Sequence, residues 1–126
     1  MARKYAGYSN ATNTASTTVP MFTITGATTT RVRVYEVNSG SDATPGDQAA
    51  KFSFRRISSN GTPTGGTNVT PNALDPADPA SLATYSKTWD VAPTITASSD
   101  LLQWAQNQRS TWRWIAAPGS ELVVPA

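Results

Sequence analysis

Two tryptophans and two arginines lie close together in the stretch RSTWRWIAAP, Arg109–Pro118. Aromatic rings beside guanidinium groups can stack on bases or sugar rings while the cations reach phosphates. The same residues also suit a core, because Trp112 and Trp114 point to one face of a strand and Arg113 to the other. A third interpretation is burial against another subunit, since Trp and Arg are enriched in interfaces. We expect packing to be the main role of these rings.

The chain contains no histidine and no cysteine, and so lacks the side chains most often used as general base, thiolate nucleophile or metal ligand. A Ser–Lys dyad through Lys51 or Lys87 stays open, although no spacing favours it. Asp75 and Asp78 could bind calcium, but Asp-Pro more often begins a turn. Gly65-Gly66 lacks the strand and helix that a phosphate cradle requires. We therefore predict no enzymatic activity, no cofactor and no metal.

Low charge limits the partners that the chain can bind. The net charge is +2 and charged residues make up 14% of the chain, which predicts no strong binding to nucleic acid. Arg55-Arg56 could pair with acidic neighbours or phosphate, although a solvated strand end is more typical. No apolar run approaches the ~18–20 residues of a membrane span, and the first ten residues lack the hydrophobic stretch of a secretory signal. We expect the sequons at Asn10, Asn60 and Asn68 to be unmodified.

The elements that position these residues are expected to be strands. Ser and Thr supply 32 of the 126 residues, and Thr favours a pleated surface. Alternating apolar residues predict strands within residues 19–26, 30–38, 49–57, 83–91, 93–97, 110–117 and 121–126. One helix is predicted at residues 98–108, where Leu101, Trp104 and Ala105 recur at helical spacing after a serine cap.

These elements predict a mainly β fold, an antiparallel β-sandwich or jelly-roll-like barrel of six to eight short strands with one short helix. Residues 1–18 are expected to form an extended arm on which Tyr5 and Tyr8 could dock, and residues 19–126 a single domain. A Pro/Gly-rich loop is predicted at residues 60–82. The final apolar segment, residues 121–126, needs pairing within the sheet or with a partner.

Four stretches resemble small β-rich decoration or cement proteins on the capsids of tailed bacteriophages: MARKYAG, TRVRVYEV, NSGSDATPGDQAAKFSFRRI and TWRWIAAPGSELVVPA. The resemblance implies a β-sandwich subunit that packs on other copies or on a shell, and it implies no catalytic residues. It leads us to expect a virion protein, assembled in the host cytoplasm and placed on the capsid surface. Its expected partners are other capsid or virion proteins and copies of itself, with a trimer favoured.

The alternative is a soluble β-sandwich module that binds carbohydrate or single-stranded nucleic acid through exposed tryptophans. In the favoured interpretation, the residues expected at interfaces with other proteins are Tyr5, Tyr8, Arg55, Arg56, Trp112, Arg113, Trp114, Val123 and Val124.

Overall fold

The structure, a computed structural model, describes residues 3–10, 18–41, 44–66 and 68–126. It is mainly β, with antiparallel strand pairs, almost no helix and no closed barrel in the described ranges. The strands are β1 Tyr5–Ala6, β2 Thr23–Thr25, β3 Val32–Val34, β4 Glu36–Ser39, β5 Ala49–Ser59, β6 Thr62–Pro63, β7 Asn72–Ala73, β8 Thr84–Ser86, β9 Trp89–Val91, β10 Thr94–Asn107, β11 Trp112–Ile115 and β12 Leu122–Val124. A 3₁₀ turn, Thr64–Gly66, follows β6.

The strands pair two by two, as β1–β7, β2–β8, β3–β12, β4–β11, β5–β10 and β6–β9. Contacts divide the chain into two compact units. The first unit comprises Met1–Val32, Ile57–Ile95 and Val124–Ala126, and the second comprises Arg33–Arg56 and Thr96–Val123. The residues predicted as one domain, 19–126, are therefore shared between two units.

The buried residues of the first unit centre on β8. Ala83 and Tyr85 are buried, and the ring of Phe22 stacks on that of Tyr85 with 5.0 Å between centroids. Gly7 passes close beside the same ring, because a Cβ at this position would lie 2.9 Å from Cδ1 of Tyr85. Any larger residue there would displace the ring, so glycine is needed for this close approach.

A polar network lies next to this aromatic pair. Thr23 and Ser86 are both buried. The Thr23 hydroxyl donates to Oδ1 of Asn60 at 2.9 Å, while Nδ2 of Asn60 and the hydroxyl of Ser86 both donate to Oδ1 of Asn68. Buried hydroxyls are tolerated when they are hydrogen-bonded. This explains why Thr23 is more buried than its neighbours Phe22 and Ile24.

The predicted loop at residues 60–82 carries local structure. It contains β6, the 3₁₀ turn and β7, and Asn60 and Asn68 anchor it through the polar network. Val69 forms a bridge with Tyr85, with both backbone hydrogen bonds at 2.8 Å. A segment rich in Pro and Gly is thus held by side-chain amides and short backbone pairings.

Part of the predicted arm packs on the first unit. Tyr5–Ala6 pairs with Asn72–Ala73, and the Tyr5 hydroxyl donates to the carbonyl oxygen of Pro79 at 3.1 Å. Arg3 lies 3.8 Å from a carboxylate oxygen of Asp78. Residues 11–17 of the predicted arm lie outside the described residues.

The helix predicted at residues 98–108 is wrong, because these residues belong to strand β10 and the turn that follows it. Leu102, Trp104 and Gln106 are half-buried while the residues between them are exposed, which is the period of a strand. Local helical spacing was overridden by pairing with β5, since long-range packing outweighs weak intrinsic propensity.

Two other predicted strands are interrupted. The strand predicted at residues 83–91 divides into β8 and β9, and Lys87 lies at the break, where its ammonium donates to Asn10 at 3.3 Å. The strand predicted at residues 30–38 divides at Tyr35 into β3 and β4, which have different partners, β12 and β11. The final apolar strand, β12, pairs within the chain, the first of the two outcomes that the sequence left open. None of the described residues forms a helix able to cross a membrane.

Replacing Asn68 tests the polar network. Asn68→Ala should lower the free energy of unfolding by about 2–3 kcal/mol, because it leaves the buried Ser86 hydroxyl and the Asn60 amide without their acceptor. Urea denaturation measures the loss. Asn72→Ala, at an exposed position of the same unit, is the matched control and should change stability by less than about 0.5 kcal/mol. Equal stability of the two variants would contradict this account of the network.

Candidate functional site

The second unit is built on two ribbons that each present one apolar face. In the β4–β11 ribbon, Trp112 lies opposite Ser39 and Trp114 opposite Val37. Residues two positions apart in a strand share a face, so both indoles point the same way. In the β5–β10 ribbon, the alternation of half-buried and exposed residues places Phe52, Phe54 and Trp104 on one face.

The two faces meet in an aromatic cluster formed by Phe52, Phe54, Trp104, Trp112 and Trp114. Trp104 stacks on Trp112, with centroids 3.8 Å apart and planes within 4° of parallel. Phe52 also stacks on Trp104, at 5.5 Å. Phe54 meets three tryptophans edge-on at 5.1 to 6.1 Å. Stacked and edge-to-face pairs are both favourable ring geometries.

The aromatic cluster is only half-buried. All five rings keep intermediate exposure, and no described residue of the second unit is buried. The buried residues of the described chain, Thr23, Ala83, Tyr85, Ser86 and Pro93, belong to the first unit. Trp112 therefore packs on Trp104 and Trp114 on Phe54, but the rings stay partly exposed and are not buried as the core interpretation of the sequence expected.

Four arginines of the second unit, all but Arg56, are paired with carboxylates. Arg113 Nε donates to Oε1 of Glu36 at 2.8 Å, on the face of β11 opposite the indoles. The other pairs are Arg55 with Asp100 at 3.2 Å, Arg33 with Glu121 at 3.5 Å and Arg109 with Asp47 at 3.6 Å. These pairs place a carboxylate beside each of the four guanidinium groups.

Two carboxylates of the second unit are held in their charged form. Hydrogen bonds from Arg113 and then Asn38 lower the pKa of Glu36, and the same contact raises the pKa of Arg113. The pKa of Glu121 is lowered mainly by backbone amide hydrogen bonds, its own and that of Gly119, with a smaller contribution from Arg33. Both carboxylates therefore serve as ion-pair partners at neutral pH.

The residues predicted at interfaces do not form one site. Tyr5, Tyr8 and Val124 belong to the first unit, and the others to the second. Tyr8 is 61% exposed and lies under the Lys87 ammonium at 4.9 Å. Arg56 Nη1 donates to the carbonyl oxygen of Val123 at 2.6 Å, so these two predicted residues contact each other within the chain.

The sequence missed Phe52, Phe54 and Trp104 as neighbours of the tryptophan pair. The alternation of residues 49–57 showed that Phe52 and Phe54 share a face, but it did not show which residues this face contacts. Trp104 was hidden by the wrong helix assignment. The ion-pair partner Glu36 carried no local signal, because it lies 77 residues from Arg113.

A shallow groove of about 470 Å³ lies at one end of the β4–β11 ribbon. Its lining combines an indole with polar groups, namely Asn38, Ser39, Gly40, Thr111, Trp112 and Arg113. Two of these groups are already engaged, since Arg113 and Asn38 both donate to Glu36.

The remaining sequence motifs form ordinary turns and contacts. Asp75 Oδ1 accepts a hydrogen bond from the amide of Ala77 at 2.9 Å, as expected for a turn. The described residues contain no group of three acidic side chains placed to hold a metal ion. Gly65 and Gly66 adopt positive φ in the 3₁₀ turn, with 74° and 70°.

No protein-family model, curated protein or solved structure matches this chain. Its candidate site consists of the half-buried aromatic cluster, the paired arginines and the groove beside Trp112.

Removing the central ring tests the aromatic cluster. Trp104→Ala should lower the free energy of unfolding by about 2–4 kcal/mol, somewhat below the cost in a closed core, because the ring is half-buried. It should also remove the near-ultraviolet circular dichroism that arises from the stack with Trp112. Trp104→Phe, which keeps an aromatic ring, is the control and should retain most of the stability. An unchanged unfolding midpoint for Trp104→Ala would show that the stack contributes little.

The ion pair between Glu36 and Arg113 predicts a pH effect. Because the folded pKa of Glu36 is lowered, its stabilisation is complete above the ordinary value of 4.5 and is lost as the pH falls through the lower folded pKa. In Arg113→Gln, the carboxyl resonance of Glu36 should titrate at higher pH. Glu121 serves as the internal control, because its pKa is set chiefly by backbone amides. An identical Glu36 midpoint in both proteins would exclude Arg113 as the main cause.

Proposed function

We propose that this chain is a non-enzymatic structural protein of a bacteriophage virion, a decoration or cement protein that stabilises the capsid through protein–protein contacts. The observation that carries the proposal is the half-buried aromatic cluster in a unit without a buried residue among those described. Apolar rings at a surface gain stability when another protein covers them, and Trp is enriched at the centres of interfaces.

Further exposed apolar residues of the second unit support a protein partner. Ile115 is 55% exposed, Leu101 44% and Tyr35 38%. Each lies on or beside one of the two ribbons that carry the aromatic cluster. Exposed apolar groups of this kind are typical of surfaces that bind other proteins.

The charges favour a protein surface over nucleic acid. Arg33, Arg55, Arg109 and Arg113 are all paired with carboxylates of the same unit. A protein that binds the phosphate backbone instead keeps its cations available for phosphates. In this proposal the chain lies on the outer surface of a capsid. It is one member of a closed homo-oligomer, such as the trimer expected from the resemblance. The paired ribbons of the second unit suit a sandwich-like architecture, the finer form of the fold that we propose.

The groove beside Trp112 supports a second candidate function. An indole bordered by the Asn38 amide and the hydroxyls of Ser39 and Thr111 suits stacking and hydrogen bonding to a sugar ring. This function predicts that oligosaccharides quench tryptophan fluorescence, and that Trp112→Phe with Asn38→Ala abolishes the quenching. The absence of quenching over a broad glycan panel would remove it.

Binding to capsids tests the main proposal. The purified chain is mixed with heads of the phage that encodes it, assembled without the protein, and binding is measured by co-sedimentation. We expect saturable binding and a higher melting temperature of the heads. Ile115→Asp should weaken binding at least about tenfold, since it places a charge among the exposed apolar residues of the second unit, on the face of β11 opposite the indoles. Leu82→Asp, at a more exposed position of the first unit, is the matched control. A monomeric chain without affinity for heads would overturn the proposal.

A further inference from the structure

We propose that residues 101–105 of β10 form a self-pairing edge, through which two copies of this chain join antiparallel around Gln103. The inference rests on the proposed function in one respect, the expectation that copies of the chain associate. It goes further by naming the strand, the register and the symmetry of the contact.

Strand β10 has a long side without a strand partner. It is 14 residues long and pairs with β5 alone among the described strands. A strand with one neighbour presents a row of free backbone amides and carbonyls on its other side. Such an edge readily accepts a strand from another chain.

The other strands are less suited to this role. Every described strand except β5 and β10 has between two and four residues, which is too short for a stable edge. Strand β5 carries Lys51, Arg55 and Arg56, and charged side chains are a common protection of edges. In contrast, residues 101–107, LLQWAQN, contain no charge, no proline and no glycine. The edge of β10 is therefore long and unprotected.

The limits of the regular edge are visible in the structure. Ser98 has a positive φ of 52°, and the amide of Arg56 donates to the hydroxyl of Ser99 at 3.0 Å, so a bulge interrupts the ladder there. At the other end, a turn begins where the amide of Ser110 donates to the carbonyl oxygen of Asn107 at 3.0 Å. Within these limits, the five residues 101–105 can pair symmetrically around Gln103 over about 17 Å.

The sequence of this edge is complementary to itself in one register. When Gln103 lies opposite Gln103 of a second copy, Leu102 lies opposite Trp104 and Leu101 lies opposite Ala105. The two-fold symmetry forms each of these contacts twice. Apolar residues then face apolar residues on both sides of the sheet, and the two central amides can hydrogen-bond to each other. A register centred on Trp104 instead places Leu102 opposite Gln106 and Leu101 opposite Asn107, which mismatches polar and apolar groups.

The pairing would also cover groups that are exposed in the isolated chain. Leu101, 44% exposed, gains a neighbour on the outer face, and the half-buried Trp104 gains Leu102 of the second copy at its edge. The contact is isologous, so it closes as a two-fold dimer. This symmetry differs from the trimer expected from the resemblance, and the two assemblies are distinguishable by mass.

Cross-linking tests the register, because the natural chain contains no cysteine. Gln103→Cys places one thiol opposite itself at a Cβ separation of about 4.5–5.5 Å, within reach of a disulfide after small adjustment. We expect mild oxidation to convert it to a covalent dimer. Ala105→Cys, on the same face two residues away, is the matched control and should cross-link at least about tenfold more slowly, since its own copy lies about 13 Å away. An equimolar mixture of Leu101→Cys and Ala105→Cys should form the mixed dimer.

Light scattering of the natural chain gives an independent measurement. We expect a dimer, and Gln103→Lys should convert it to a folded monomer, because two ammonium groups would face each other; circular dichroism verifies its folding. The inference is overturned if the natural chain is a monomer. It is also overturned if the natural chain is a trimer and Gln103→Cys forms no covalent dimer, or if the two cysteine variants cross-link at equal rates. If Gln103→Cys forms the covalent dimer but the chain does not bind phage heads, only the proposed function is overturned. Binding to heads without this cross-link would overturn the self-pairing alone.

Discussion

The stack of Trp104 on Trp112 joins two ribbons that would be marginal on their own. A two-stranded ribbon buries too little surface to be stable in water, and each ribbon of the second unit has two strands. The indoles come from β10 and β11, and their contact at 3.8 Å brings the two apolar faces together. Phe52 and Phe54 complete the arrangement by packing on Trp104. The stability of this unit thus depends on aromatic rings that remain near the surface.

The short strands of the first unit are stabilised in a different way. Its buried centre includes the hydroxyls of Thr23 and Ser86, held by the side-chain amides of Asn60 and Asn68. A chain with many Ser and Thr residues can bury them only where each donor finds an acceptor. The two asparagines therefore connect a Pro/Gly-rich segment to β2 and β8. Hydrogen bonding in one unit and ring stacking in the other replace a large aliphatic core.

The paired arginines and the exposed apolar residues of the second unit bear on whether the chain contacts protein or nucleic acid. Four arginines near the tryptophans are paired with carboxylates, among them Arg113 with Glu36 and Arg55 with Asp100. Apolar groups such as Ile115 and Leu101 of β10 are also accessible. Such surface favours contact with protein, and the uncharged stretch of β10 favours a copy of the same chain.

The sequence by itself determined which side chains are absent and which residues alternate. Composition shows that histidine and cysteine are absent. The period of a strand places the two phenylalanines of β5 on one face and points Trp112 and Arg113 in opposite directions. Only the tertiary structure decided that residues 98–107 extend as a strand, that Arg113 meets Glu36 and that Trp104 joins the tryptophan pair. Alternation is a local property of the backbone, whereas pairing joins residues far apart in the chain. A short stretch that suits both helix and strand takes its form from the partner that it meets.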